Sequence, residues 1–181
     1  MNIGLLALQG AVSEHKIIMR QLGVSTIEVR ESDNIEKLDG LIMPGGESTT
    51  LRKLLKNSGM WNTIKDSELP IMGTCAGAIL LGKCEDETFE KMDIEIDRNY
   101  YGRQKDSFET KITLENERTF DGVFIRAPAI KKIGNDVKTI AWKNKEIVGC
   151  VSGRNMALTF HPELTNDVRF HKIWIDLICN K

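Results

Sequence analysis

A cysteine between two glycines is the residue of this chain best placed to do chemistry. Cys75 stands in the stretch Pro70 to Ala78, PIMGTCAGA, where a short apolar run leads into helix-forming residues. Gly73 and Gly77 lie two positions before and after it, as in a nucleophile elbow, where a strand and a helix cross closely. A helix that begins directly after the sulfur favours the thiolate. The spacing therefore indicates a nucleophile, although a buried cysteine in a glycine-rich turn has the same pattern.

The tripeptide His161-Pro162-Glu163 contains the base and the orienting carboxylate that a cysteine nucleophile needs. Side chains two apart in an extended segment point to the same side, so Glu163 can reach the imidazole of His161. Pro162 favours an extended backbone at His161. A strand-end turn with a solvated glutamate is the alternative interpretation. Together with Cys75, the tripeptide predicts a Cys-His-Glu triad.

A pair of glycines in the stretch Pro44 to Thr49, PGGEST, predicts a second part of the site. Glycines allow the backbone to approach a ligand closely. We expect the N–H of Gly46 to be one oxyanion donor, and the N–H of Ala76, directly after the cysteine, to be the other. Ser48 is expected to cap the helix that follows.

The elements that must hold these residues begin with apolar runs of strand length that alternate with helix-like stretches. Strands are expected at Asn2 to Gln9, Ser25 to Val29, Gly40 to Met43 and Pro70 to Gly73. Helices are expected from a cap at Ser13 to a stop at Gly23, at Ser48 to Lys56 and at Ala76 to Lys83. This alternation predicts a parallel sheet with right-handed crossovers, in which ligands bind beyond the carboxyl ends of the strands.

The second half of the chain has shorter strand-like runs separated by turns, a pattern that favours antiparallel pairing. They are Met92 to Asp97, Ser107 to Leu114, Thr119 to Ile125, Val137 to Trp142 and Ile147 to Ser152. Asn155 to Phe160 then restores an apolar run, which leads directly into His161. An amphipathic helix, Val168 to Cys179, closes the chain. The sequence therefore predicts one α/β domain, residues 1–181, with an antiparallel insertion.

Composition excludes several classes of function. With a net charge of −1, the chain has no basic excess for nucleic acid or an anionic membrane, so a small neutral or zwitterionic ligand is expected. The four cysteines lack C-x-x-C spacing and the three histidines are scattered, so neither metal nor cofactor is expected. His15 and His171 have no carboxylate two positions away and are expected to be structural or surface groups. The absence of an apolar run of membrane-spanning length predicts a cytoplasmic protein with free thiols.

Six motifs occur in order along the chain. They are LALQGAVSEH (Leu6 to His15), LIMPGGESTT (Leu41 to Thr50), GTCAG (Gly73 to Gly77), DRNYYGRQKDSFE (Asp97 to Glu109), GVFIRAP (Gly122 to Pro128) and FHPELT (Phe160 to Thr165). Together they make the chain resemble the glutaminase subunits of pyridoxal 5′-phosphate synthase, which are class I glutamine amidotransferases. GTCAG and HPE belong to the class generally, whereas PGGEST, GRQ-x-DSF and FIRAP are narrower.

The resemblance implies a three-layer flavodoxin-like fold and hydrolysis of L-glutamine through a thioester, with ammonia passed to a synthase subunit for vitamin B6 biosynthesis. By matching motif positions, the substrate's amino-acid end is expected to be bound by Gly46, Glu47, Ser48, Arg98, Ile125 and Arg126. Two alternatives remain open. One is a different class I amidotransferase subunit or a stand-alone γ-glutamyl hydrolase with the same triad. The other is a non-catalytic flavodoxin-like regulatory module.

Overall fold

The computed structural model describes residues 1–100, 107–115 and 118–180, and only the backbone of residues 33 and 34. The helices are α1 (Val12–Gln21), α2 (Ser48–Asn57), α3 (Met60–Asp66), α4 (Ala76–Leu81) and α5 (Arg169–Cys179), with 3-10 helices at Ser32–Lys37 and Pro162–Leu164. The strands of the first part are β1 (Ile3–Leu6), β2 (Thr26–Val29), β3 (Gly40–Met43) and β4 (Ile71–Thr74). Those that follow are β5 (Ile94–Asp97), β6 (Phe108–Leu114), β7 (Thr119–Phe124), β8 (Ala129–Ile133), β9 (Lys138–Lys143), β10 (Glu146–Ser152) and β11 (Asn155–Leu158).

Nine of the strands in the described part of the chain form one sheet, in the order β2-β1-β3-β4-β11-β10-β9-β6-β7. The five strands from β2 to β11 are parallel. For β1 to β4, this is what the alternation of strands with helices predicts. The carboxyl ends of β3, β4 and β11 therefore meet at one edge. These ends lead into the PGGEST stretch, Cys75 and His161.

The antiparallel strands extend this sheet. β10 pairs with β11, and β9, β6 and β7 follow it outward, each antiparallel to its neighbour. β5 and β8 form a separate two-stranded sheet. The predicted antiparallel half is thus confirmed. It continues the parallel half as one sheet, through the pairing of β10 with β11.

Two hydrophobic clusters cover the two faces of the sheet. On β3, Leu41 and Met43 belong to one cluster and Ile42 to the other, because successive side chains of a strand point to opposite faces. The first cluster includes buried residues of α2, α3 and α4, while the second includes Met19 of α1 and Trp174 of α5. This is the predicted arrangement of helices on both faces of a sheet.

Two predicted helix caps are wrong. Ser13 lies inside the first turn of α1, which begins at Val12, and its hydroxyl bonds to Glu14 at 2.8 Å. At α2 the capping residue is Glu47, whereas Ser48 is the first residue of the helix. The two oxygens of a carboxylate can accept two of the unpaired N–H groups at a helix start, whereas a serine hydroxyl usually accepts one.

One α-helix and one strand of the described chain were not predicted, nor were its two 3-10 helices. Helix α3 follows α2 after a short turn that includes the left-handed residue Gly59, with φ +73°. The apolar face of α3 consists of Met60, Trp61 and Ile64, a set too short to be distinguished from the helix before it. Strand β8 pairs with β5 and begins directly after Pro128.

Candidate active site

The strained turn predicted at Cys75 is present. Cys75 joins β4 to α4 with φ +48° and ψ −104°, values that side-chain-bearing residues rarely adopt. Its N–H donates to the carbonyl of Leu158 on β11 at 2.8 Å. A Cβ on Gly73 would lie 2.5 Å from the carbonyl carbon of Gly77, and a Cβ on Gly77 would lie 2.1 Å from the carbonyl oxygen of Met43. Both glycines are therefore required for β3, β4 and α4 to pack this closely.

His161 and Glu163 are in contact, as predicted, although the backbone reason was wrong. His161 Nδ1 lies 2.7 Å from Glu163 Oε1, and both residues are buried. Glu163 belongs to the 3-10 helix Pro162–Leu164, so the segment from His161 to Glu163 is a turn and not the predicted extended stretch. The N–H of His161 donates to the carbonyl of Val123 at 2.8 Å, which fixes the start of this turn against β7.

The imidazole of His161 lies between the sulfur of Cys75 and the carboxylate of Glu163. Burial by itself would lower the pKa of His161, but hydrogen bonds to Cys75 and Glu163 and their negative charges raise it to about 10. Since Nδ1 faces Glu163, Nε2 faces Cys75. The thiol also lies 3.6 Å from the carbonyl oxygen of Ile125. The imidazole of His161 is therefore placed to exchange a proton with the sulfur of Cys75.

The glycine pair of the PGGEST stretch lies directly against these groups. A Cβ on Gly45 would lie 2.4 Å from Cε1 of His161 and 3.1 Å from Cβ of Cys75. The carbonyl oxygen of Gly45 faces Gly10, since a Cβ on Gly10 would lie only 2.2 Å from it. A trans peptide directs its C=O and N–H to opposite sides, so the N–H of Gly46 points away from Gly10. The structure thus brings the Gly45-Gly46 peptide to the nucleophile and its base.

Glu47 and Arg98 form the outer part of the same site. Glu47 accepts hydrogen bonds from the N–H groups of Thr49 (3.0 Å) and Thr50 (2.6 Å) at the start of α2. Burial would raise the pKa of Glu47, but these bonds lower it to about 2. Arg98 donates to Thr49 Oγ1 at 2.9 Å, lies 3.4 Å from Glu47 Oε1 and is paired with Asp86. Arg98 is therefore held close to α2 by an ion-pair network.

The remaining residues predicted for the site are Ser48, Ala76, Ile125 and Arg126. Ser48 is buried, and Ala76 is the first residue of α4, so its N–H lies directly behind the nucleophile. Ile125 is partly exposed and contributes its carbonyl to the site. Arg126 is exposed, with φ +43°. The GRQ part of the DRNYYGRQKDSFE motif falls on residues 102–104, outside the described residues.

The predicted surface alternative for His15 and His171 is wrong. Both side chains are fully buried, and His15 Nδ1 lies 2.8 Å from His171 Nε2. His15 Nε2 lies 3.5 Å from Oε2 of Glu163, so the carboxylate has a histidine on each side. Pairing between α1, the 3-10 helix and α5 has no signal in local spacing.

Comparison with known proteins gives the class of this chain. The model of the SNO glutamine amidotransferase family matches residues 5–180, and the chain belongs to this family. A crystal structure described as a glutamine amidotransferase matches with a TM-score of 0.90 and 38% identity, over 98% of each chain. A chain of PurLQS from Thermotoga maritima, 14% identical with a TM-score of 0.70 over 99% of this chain and 97% of that one, has the same fold. The predicted α/β class I amidotransferase fold is confirmed.

Relatives with higher sequence identity to this chain have names that specify an enzyme complex. The pyridoxal 5′-phosphate synthase subunit PdxT of Oenococcus oeni is 45% identical over 97% of this chain and 96% of its own length. The protein of the same name from Methanocaldococcus jannaschii is 47% identical over 92% of each chain. The resemblance carried by the six motifs is therefore confirmed over nearly the full length.

Two further findings concern the described residues alone. They include no group of three or more histidine, cysteine, aspartate or glutamate side chains that could hold a metal ion. No helix among them combines the length and the apolar composition needed to cross a bilayer.

Proposed function

We propose that this chain hydrolyses L-glutamine and delivers the ammonia to a synthase subunit that makes pyridoxal 5′-phosphate. The observation that carries the proposal is a buried cysteine on a strained strand-to-helix turn, beside a histidine whose other nitrogen is 2.7 Å from a carboxylate. Membership of the glutamine amidotransferase family and the names of the relatives support the same function. We infer one catalytic domain, residues 1–181, that works in the cytoplasm, which its free cysteines favour.

In the first half of the reaction, the thiolate of Cys75 attacks the side-chain amide carbonyl of glutamine. The oxyanion that forms accepts hydrogen bonds from the N–H groups of Gly46 and Ala76. As the carbon–nitrogen bond breaks, protonated His161 gives its Nε2 proton to the leaving ammonia. A γ-glutamyl thioester on Cys75 remains, and His161 is neutral.

In the second half, neutral His161 accepts a proton from a water molecule that attacks the thioester. The carbon–sulfur bond breaks, glutamate leaves, and the thiolate and the imidazolium are restored. Glu163 keeps the ring of His161 oriented and stabilises its charged form through both stages.

The amino-acid end of glutamine lies at the outer part of the site in this proposal. Arg98 provides a guanidinium that can bind the substrate carboxylate with two parallel hydrogen bonds, in competition with Asp86. The backbone of Gly46, Glu47 and Ser48 and the segment 125–126 complete the binding surface.

Docking of the synthase subunit is proposed to increase activity through the Gly45-Gly46 peptide. Loss of one oxyanion donor costs about a hundred- to a thousandfold in rate, so turning a single peptide can switch the enzyme. Such coupling avoids releasing ammonia into water, where protonation would remove its nucleophilicity.

Gly46→Ala is a poor probe of this loop, since φ of Gly46 is +129° and a Cβ would lie 2.7 Å from Nε2 of Gln9. Gln9→Ala is preferable, because it removes only the hydrogen bond to the Glu47 carbonyl at 3.0 Å.

The test measures glutamate release by the chain alone and with a saturating synthase subunit, using glutamine labelled with ¹⁵N in the amide group. We expect a large increase on docking and transfer of ¹⁵N into pyridoxal 5′-phosphate. A glutamine-analogue electrophile should label Cys75 and spare Cys179, which is exposed and would react with a general alkylating agent. Absence of glutamate release in both conditions would refute the function. Full activity without the partner would instead favour a stand-alone hydrolase.

A further inference from the structure

Two buried histidines lie behind the proposed triad and have no part in the mechanism above. His15 on α1 and His171 on α5 are 156 positions apart in the sequence, and their rings meet at 2.8 Å. Glu163 lies between His15 and His161, with Oε2 3.5 Å from His15 Nε2 and Oε1 2.7 Å from His161 Nδ1. A continuous line of four buried side chains therefore leads from Cys75 into the protein.

Three buried polar atoms of these side chains have no hydrogen-bond partner among the described residues, namely His15 Nε2, Glu163 Oε2 and His171 Nδ1. Buried polar atoms are almost always paired, because an unpaired one costs its full desolvation free energy. Within the described part of the chain, His15 Nε2 and Glu163 Oε2 have no other partner, and they face each other. A movement of about 0.5 Å would bring the two atoms to hydrogen-bond distance.

Only one distribution of protons suits this line. A carboxylate oxygen accepts, so His15 must donate from Nε2. A neutral imidazole carries one N–H, so Nδ1 of His15 accepts and Nε2 of His171 donates. Burial lowers the pKa of both histidines, to about 4 for His171, and for His15 the charges of His171 and His161 act in the same direction. Both rings are therefore neutral at neutral pH. If His15 Nε2 donates to Oε2 of Glu163, the acceptor Nδ1 of His171 is the one polar atom of the line still unpaired among the described residues.

On the basis of the function proposed above, we propose that His15 is a positioning residue of the site. Its Nε2–H binds Oε2 of Glu163 and thereby directs Oε1 towards His161, while His171 fixes the tautomer of His15. A carboxylate held by a single oxygen can rotate about its terminal bond, whereas one held by both oxygens cannot. The line thus fixes the ring of His161 from inside the protein.

The variants are chosen to separate the hydrogen bond from packing. His15→Leu removes the donor, and His15→Gln keeps an amide N–H near the position of Nε2. His15→Asn has the same polarity but reaches only the position of Nδ1. Met19→Ala is the matched control, because Met19 is a fully buried residue of the same helix that belongs to the hydrophobic core.

Two measurements are made on each variant. The first is kcat and KM for glutamate release with a saturating synthase subunit. The second is an NMR titration of the ¹⁵N-labelled imidazole of His161 in the full chain, which needs no turnover. We expect His15→Leu and His15→Asn to lower kcat about 10- to 100-fold, the range known for residues that orient metal ligands, with KM within about threefold. The pKa of His161 should fall in both, and His15→Gln should restore both quantities.

The proposal is overturned if His15→Leu and Met19→Ala agree in kcat and in the pKa of His161, because packing then accounts for the effect. It is equally overturned if His15→Gln lowers kcat and the pKa of His161 as much as His15→Asn does. Should His15→Leu fail to fold, the comparison of His15→Gln with His15→Asn tests the proposal by itself. If the wild-type complex releases no glutamate, the proposed function fails. The titration of His161 still decides whether His15 positions Glu163.

Discussion

The inner and the outer parts of the candidate site are held in different ways. The inner part consists of Cys75, His161 and Glu163, which are 4%, 6% and 3% exposed and are tied to backbone of the central sheet or to one another. In the outer part, the side chains of Glu47 and Arg98 are 52% and 20% exposed, lie 3.4 Å apart and both bind Thr49. The groups proposed to make and break bonds are thus built into the core, whereas those proposed to bind substrate lie in an ion-pair network that can rearrange. The difference indicates that substitutions in the inner part of the site will reduce kcat, whereas substitutions in the outer part will raise KM for glutamine.

The largest expected effect is that of Cys75→Ser. Glutamine hydrolysis should fall by at least about 10⁴-fold, because loss of the nucleophile removes most of the rate enhancement of a catalytic triad. Binding of the synthase subunit should be retained, since Cys75 is covered by the protein itself. Steady-state glutamate release and co-purification measure the two properties. Retained turnover would show that another residue is the nucleophile.

The second comparison is between the base and the group that orients it. His161→Asn should approach the effect of Cys75→Ser, whereas Glu163→Gln should leave measurable activity, because an orienting group contributes less than the base it orients. Single-turnover measurement of thioester formation and breakdown would separate the two halves of the reaction. Activity close to wild type in His161→Asn would exclude His161 as the base.

Acid stability provides a test of the inner part that is independent of catalysis. The pKa of His171 is about 4 in the folded protein and about 6.5 in an unfolded chain. Between these values the unfolded chain binds a proton that the folded protein does not, so the free energy of unfolding falls as the pH falls from about 6.5 to 4. At about 1.4 kcal/mol per pKa unit, the loss is about 3 kcal/mol.

His171→Gln removes this titration, so its stability should depend less steeply on pH over the same interval. Urea unfolding at several pH values measures the slope, and contributions from carboxylates cancel because both proteins share them. Equal slopes for wild type and variant would show that His171 is not held in its neutral form.

The smallest expected effect belongs to the outer part. Arg98→Ala should raise KM for glutamine by about 10- to 100-fold, the equivalent of one charge-assisted hydrogen-bond pair, with little change in kcat. Lys83→Ala, which removes an exposed ion pair with Asp93, is a control for a general loss of surface charge. A fall in kcat without a change in KM would place Arg98 among the groups that act on the reacting atoms.

Local sequence was sufficient for the inner part of the site wherever the chemistry depends on neighbouring residues. Gly73 and Gly77 identify the turn at Cys75. Glu163 and His161 are in contact because they are close in sequence, but a 3-10 helix rather than the predicted extended segment brings them together. The pairing of Glu163 with His15 was not predictable, because it depends on how α1 packs against the turn after β11. Helix capping by Glu47 was also missed, since serine is the commoner capping residue.

The same limit applies to the fold. Apolar runs predicted β1, β3 and β4, the position of Ser25 to Val29 after the first helix predicted β2, and short strand-like runs separated by turns predicted most strands of the antiparallel half. Which strands pair is decided by long-range packing, so neither the separate sheet of β5 and β8 nor the position of β7 at the outer end of the large sheet was evident. Helix α3 was missed because only a short turn at Gly59 separates it from α2.

The position of β7 bears on how this protein loses its activity. It is the last strand of the nine-stranded sheet, and it pairs only with β6 among the described strands. Yet Val123 on this strand holds the backbone of His161, and Ile125 directly after it accepts from the thiol of Cys75. Edge hairpins open locally more easily than central strands. Transient opening of β6 and β7 would therefore remove one contact from each reacting group at once, and on heating we expect the activity to fall before the rest of the sheet unfolds.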